Sequence, residues 1–140
     1  MKKLLFVLLF ITGTLFASNI ETEKKIYTII IHALVPQKEK IKVWGDSPHN
    51  KEILKHIPGV QSVASPKNAN FLLLEKKNKL PSDALIFVTN YRLLEKMQKS
   101  AIGGFFWQKG RPNILFIRKN LHKRGIKLPD SMQDFIEDEI

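Results

Sequence analysis

Two short stretches of this chain carry the residue types that could do chemistry. Trp44-Gly45-Asp46-Ser47-Pro48-His49-Asn50 places an acid, a hydroxyl, an imidazole and an amide within seven residues, and Thr89-Asn90-Tyr91 adds three more polar groups. Ser47 followed by Pro48 has the pattern of an N-cap with proline at the first helical position, so the first stretch reads as a turn running into a helix. The free N–H groups at such a helix start attract anions. If both stretches end strands of one parallel sheet, they lie beyond its carboxyl edge, where open α/β sheets bind ligands. The ligand-binding candidates are therefore Trp44, Asp46, Ser47, His49, Thr89, Asn90 and Tyr91, with a small anionic or aromatic molecule as the ligand. The plainer alternative is that Ser47 and either Thr89 or Asn90 only close helix ends, with Trp44 in the core.

Other chemistries find less footing. His32, His49, His56 and His122 never stand at i, i+4 from one another, and Asp46 is close in sequence to His49. Zinc needs three or four converging ligands, so no metal and no cofactor are expected. There is no Gly-x-Ser-x-Gly elbow, no pair of acids that stands out from the surface charge, and no cysteine. No catalytic residue can be assigned, and the chain reads as a non-enzyme.

A third feature is Gly103-Gly104 ahead of Phe105, Phe106 and Trp107. Glycines inside a strand suggest a bulge or a close backbone approach. Strand side chains alternate, so if Phe105 and Trp107 enter the core, Phe106 points to the opposite face. Either helices cover that face too, or a hairpin at the sheet edge offers an aromatic to a protein partner. The partner-binding candidates are Phe106, Trp107 and, at the hairpin turn, Arg111.

The elements that must position these groups alternate along the chain. Glu21 to Val35 reads as an amphipathic helix with Ile26, Ile29, Ile30, Ala33 and Leu34 on one face, although its β-branched run keeps a strand open. Pro36 ends it. A strand over Ile41–Trp44 leads through Gly45-Asp46 into a helix reaching His56, which Pro58-Gly59 stops. Val60–Val63 is a short strand, and Ser65-Pro66 begins a brief turn. Phe71–Leu74 and Ala84–Val88 are continuous apolar runs, as in strands buried on both faces of a sheet, linked by Asn78–Ser82. A helix capped by Thr89 or Asn90 runs to about Lys99, with Leu93, Leu94 and Met97 inward. Strands at Ile102–Trp107 and Ile114–Ile117 join through Lys109-Gly110-Arg111-Pro112 as a hairpin. Arg118–Arg124 is a charged helical turn ending at Gly125, and Ser131 caps a final acidic helix. This order predicts one α/β three-layer sandwich with a mostly parallel sheet and a C-terminal antiparallel hairpin.

The first seventeen residues, MKKLLFVLLFITGTLFA, have a separate meaning. Lys2 and Lys3 precede an apolar run from Leu4 to Phe16 that only Thr12, Gly13 and Thr14 interrupt, and Ala17 supplies a small residue before Ser18. That is the layout of a cleaved secretory signal, and the run is shorter than the ~20 apolar residues of a spanning helix. The expected organisation is a signal peptide over residues 1–17 and one domain over residues 18–140, periplasmic or secreted. Of the 23 Lys and Arg residues, 21 remain after Ala17 against 13 acids, and five of those acids lie between Asp130 and Glu139. The body is thus strongly basic, either as a solvated surface or as an attraction for an anionic partner. Nucleic acid is not expected as a partner: the chain is read as exported, and aromatics do not interleave with the basic residues.

Several passages together resemble the YfiR-like family of small periplasmic proteins: the helix before Pro36, "IKVWGDSPHN", "VASPKNANFLLL", and the ending "IGGFF…GRPNILFI…RGIKLPDSM". The resemblance implies a signal peptide, one α/β domain and a non-enzymatic accessory regulator. Its partner would be the periplasmic part of a membrane-bound signalling protein, such as a diguanylate cyclase or a sensor kinase. A small anionic ligand and a second copy of the chain are the other partners considered. Mass spectrometry of the exported protein should find Ser18 at its N-terminus, and retention of residues 1–17 would overturn the signal-peptide reading.

Overall fold

The computed structural model describes residues 20–35, 40–76 and 83–140. The signal segment, Pro36 and the Asn78–Ser82 link lie outside them. The first helix, α1, covers residues 20–34 and settles the choice between helix and strand. Its inner stripe is Tyr27, Ile30, Ile31 and Leu34, all buried, while Ile29 is 61% exposed. The apolar face is therefore turned from the expected one, because Tyr27 packs edge-on against Phe105 and Phe87, with ring centroids 5.3 and 6.1 Å away.

Strand β1 (Ile41–Gly45) runs into helix α2 (Pro48–Lys55), and Ser47 caps that helix by accepting the Asn50 N–H at 3.1 Å. Strand β2 (Val60–Ser62) returns parallel to β1, after which a 3-10 turn at Pro66–Asn68 leads to β3 (Phe71–Leu74). Strand β4 (Leu85–Val88) is followed by α3 (Tyr91–Lys96), capped by Asn90 rather than Thr89. Strands β5 (Gly103–Gln108) and β6 (Arg111–Ile117) form the antiparallel hairpin, and α4 (Arg118–Lys123) follows. The hairpin turn is shorter than expected. Lys109 and Gly110 both have positive φ, 52° and 74°, which matches the strand twist, so Arg111 and Pro112 already belong to β6.

The final acidic helix is not formed. Pro129 stands ahead of a 3-10 turn over Asp130–Phe135 and no side chain caps it, after which Ile136–Glu137 forms a short strand, β7, parallel to β6. Only Met132 of that turn is buried, so there is no apolar stripe to hold a longer helix. The hairpin is consequently not the outermost element: β7 covers Phe116 and Ile117 of β6.

The seven strands follow the order β2-β1-β3-β4-β5-β6-β7, parallel from β2 to β5. This α/β sandwich has the doubly wound order 2-1-3-4-5, with its switch point between β1 and β3. The crossover from β1 to β2 and the one from β4 to β5 run in opposite lateral directions. With right-handed crossovers, their helices must lie on opposite faces. The core agrees. Ile53 and Leu54 of α2 join α1, Val43, Phe71, Leu73 and Phe105 on one side. Leu93 and Leu94 of α3 join Leu72, Leu74 and Val88 on the other. Among the described residues, no helix is long and apolar enough to cross a membrane.

The two glycines of β5 serve close packing rather than a bulge. The β5–β6 register is unbroken from Gly103↔Phe116 to Gln108↔Arg111. A Cβ on Gly103 would sit 2.3 Å from the Leu115 carbonyl oxygen, and one on Gly104 would sit 3.0 Å from Val88 Cγ2. Gly103→Ala should thus lower unfolding stability by about 2 kcal/mol or more, the range of overpacked cores. Gly104→Ala, whose Cβ would meet a Val88 methyl at 3.0 Å and the Val88 carbonyl oxygen at 3.1 Å, is less crowded and should cost less. Urea midpoints for the two variants test this ordering.

Candidate functional site

The polar residues singled out in the sequence converge on the carboxyl ends of β1, β3 and β4. The end of β3 lies between the other two, and the chain beyond it carries backbone N–H groups with no strand partner. Asp46 meets them. Its carboxylate accepts the Glu75 N–H at 2.8 and 2.9 Å and the Lys76 N–H at 2.9 Å, with the Asn50 side-chain amide at 3.2 Å. The same Asn50 amide donates to the Leu73 carbonyl at 3.3 Å. From the other side, Asn90 donates to the Glu75 carbonyl at 3.1 Å, and Thr89 donates through its N–H and hydroxyl to Leu74. Asp46, Thr89 and Asn90 thus brace the end of β3 as well as closing turns.

Ser47 is likewise engaged by its own helix. Its hydroxyl takes the Asn50 N–H, its carbonyl takes the Lys51 N–H, and Pro48 has no N–H to give. The group beside the start of α2 is another acid, Glu23 of α1. Its oxygens lie 2.9 Å from His49 Nε2 and 2.8 Å from the Trp107 indole nitrogen, which donates to it. Glu23 is 9% exposed, one turn before Tyr27 on the buried stripe of α1. Sequence reading missed it. Once Tyr27, Ile30, Ile31 and Leu34 define the stripe, an acid at i−4 from Tyr27 is the available signal.

These groups border a half-open cavity of about 180 Å³ on the α1–α2 side of the sheet. Glu23 and Tyr27 come from α1, His49 and Asn50 from α2, Phe105 and Trp107 from β5, and Glu75 and Thr89 from the ends of β3 and β4. Of the ligand candidates, His49 and Thr89 line it, while Asp46, Ser47 and Asn90 support its walls. Trp44 does not take part: it packs toward the α3 side and borders a separate cavity of about 300 Å³ with Lys51, Lys55 and Ser62. Tyr91 is also on the far side, edge-on to Phe106 at 5.5 Å.

The partner candidates divide in the same way. Phe106 packs on the α3 side, while its neighbour Trp107 faces the cavity, as strand alternation requires. Arg111 is exposed at the base of the turn. Among the described residues no cluster of three or more His, Cys, Asp or Glu could hold a metal ion. His32 instead meets the Pro58 carbonyl, and His56 pairs with Glu52 one helical turn away. That pairing holds the Glu52 carboxyl below its usual range.

Comparison with known protein families, with characterised proteins and with solved structures finds no match to this chain.

Burial, aided by the negative charge of Glu23, pushes the Tyr27 hydroxyl well above its ordinary value of 10.0. A phenol harder to ionise when folded stabilises the fold fully below its unfolded pKa, and that stability is lost as the pH rises past it. The melting temperature should therefore fall above about pH 10 more steeply in the wild type than in Tyr27→Phe, which keeps the ring and removes the ionisable group. Thermal melts of both proteins across the alkaline range check this.

Proposed function

We propose that this chain is an exported, non-enzymatic accessory regulator, YfiR-like by sequence resemblance, that docks on the periplasmic part of a membrane-bound signalling protein such as a diguanylate cyclase or a sensor kinase. The observation that carries this reading is the Tyr91–Phe106 pair on the α3 face. Tyr91 is 42% exposed and Phe106 half-buried, with rings at 66° to one another. Leu115 lies beside Phe106 at the margin of the same apolar cluster. A rigid aromatic seated on a core, with its outer surface open, is the common form of a binding anchor.

The hairpin favours docking through side chains rather than by strand addition. The Ile117 N–H points inward to the Ile102 carbonyl, so alternation turns the backbone groups of residues 112, 114 and 116 outward. Phe116 is already paired with β7, and Pro112 has no N–H to offer. The strand edge is blunted while its aromatics remain accessible. The non-enzymatic part of the reading rests on the commitments at the switch point, where the carboxylates of Asp46 and Glu23 are each held by groups of their own chain.

The acidic tail lies on the same side of the sheet, where Ile140 packs against the same apolar cluster as Phe106, but its charges are engaged by basic groups away from the aromatic pair. Asp138 pairs with Arg118 at 2.6 Å, and Asp138 and Glu139 border a cleft with Lys99, Lys119 and Lys123. Crosslinking in the envelope followed by copurification should recover a membrane sensor or cyclase with the wild type. Tyr91→Ala and Phe106→Ala should each weaken that complex by about 2 kcal/mol, the scale of a docking aromatic. Truncation after Ile136 should leave it nearly unchanged. Recovery of no such protein, or undiminished binding by a folded Tyr91→Ala, would overturn the reading.

A further inference from the structure

We infer that the cavity beyond β3 and β4, between α1, α2 and β5, binds a small organic cation, an alkylammonium group. Charge is the first argument. The chain has 23 Lys and Arg residues against 13 acids, yet the cavity has no Lys or Arg in its walls and is bordered by two acidic residues, the buried Glu23 and the exposed Glu75. The one basic side chain present, His49, is tied to Glu23. An anion entering here would meet two like charges. A cation would meet their attraction in surroundings where the Glu23 side chain is only 12% exposed, so screening by water is weak.

The second argument is the kind of surface around those acids. Tyr27, Phe105 and Trp107 supply aromatic walls, with Tyr27–Phe105 and Phe105–Trp107 centroids 5.3 and 5.8 Å apart and both pairs edge-on. Tyr27 and Phe105 are buried against one another, so the half-buried Trp107 is the ring with surface open to a guest, and the negative face of an indole attracts an ammonium ion. The third argument is that the site is already organised. The Trp107 indole and His49 fix the Glu23 carboxylate in place, and a carboxylate oxygen that accepts one hydrogen bond has a further lone pair to offer. Asp46 and Asn90 fix the backbone from which Glu75 projects.

Size sets the class of guest. A space of about 180 Å³ holds roughly six waters at their liquid volume, which suits an amine of a few heavy atoms and excludes a nucleotide or a peptide. The position, outside the carboxyl ends of parallel strands at the switch point, is where doubly wound sheets bind their ligands. This inference does not depend on the docking role, since the Tyr91–Phe106 pair lies across the sheet.

The Trp107 indole N–H gives a direct reading by two-dimensional NMR, because only Trp44 shares that spectral region and it lies outside the cavity. The full domain would be titrated with tetramethylammonium chloride, sodium acetate and tert-butanol at constant ionic strength. A saturable shift of the Trp107 signal with tetramethylammonium, and none with the other two, is the expected result. Glu23→Gln keeps an acceptor for Trp107 and should weaken binding about tenfold or more; Glu75→Gln, at the margin, should weaken it severalfold with the fold intact. The absence of a saturable shift, an equal response to acetate or tert-butanol, or unchanged affinity in Glu75→Gln would overturn the assignment.

Discussion

Burial of β3 and β4 on both faces is the constraint from which the rest of this structure follows. Every side chain from Phe71 to Leu74 is fully enclosed, and those from Leu85 to Val88 are nearly so. An apolar side chain of that size contributes about 1.5–3 kcal/mol when taken out of water, so neither face of these strands can be left bare. One face is met by α1 and α2, the other by α3. Two helices on opposite faces, each joining parallel neighbours by a right-handed path, force the strand order to run outward from the centre in both directions. That reversal opens the gap beyond β1 and β3 into which α1 and α2 present their ends.

The same central burial creates a local problem that the polar residues solve. Where β3 ends, the chain must leave an apolar layer with its backbone groups satisfied. Asp46 from one neighbour and Asn90 from the other take the N–H and carbonyl groups around Glu75. Among the described residues, no fully buried side-chain nitrogen or oxygen lacks a hydrogen-bond partner. Asp46, Thr89 and Asn90, ligand candidates in the sequence, therefore each carry a structural hydrogen bond in the fold. Glu23 differs: its two contacts hold it in the wall of a space, whereas the contacts of Asp46 close a turn.

What the sequence made legible follows from the range of the forces involved. Local signals were sufficient for the Ser47-Pro48 helix start, for the continuous apolar runs of β3 and β4, and for the Gly110 turn, because each depends on neighbours within a few residues. The α/β layering followed from their alternation. The rotation of α1 was not legible, because it is fixed by Phe87 and Phe105, far along the chain. Glu23 was hidden for the same reason: Trp107 is 84 positions away, and a lone acid near a helix start otherwise reads as solvated surface. The last helix failed for a local reason that Ser131 obscured. A good cap cannot make a helix where the following residues lack a stripe to bury, and pairing of Ile136 with Phe116 gave that segment a strand end instead.

Strand β5 is the element shared by both surfaces. Phe106 and Trp107 are consecutive, so the aromatic on the α3 face and the one over the cavity are separated by a single peptide unit and held on opposite sides of one sheet. The strand has little freedom to slide. Gly103 lies against the backbone of β6 and Gly104 against Val88 of β4, at separations that leave no room even for a methyl group without movement. Trp107 is further tied to α1 through Glu23, and Phe106 to α3 through Tyr91. The adjacent glycines, which look like weak points in a strand, thus let β5 pack closely enough to fix the two aromatics relative to each other and to the helices on either face.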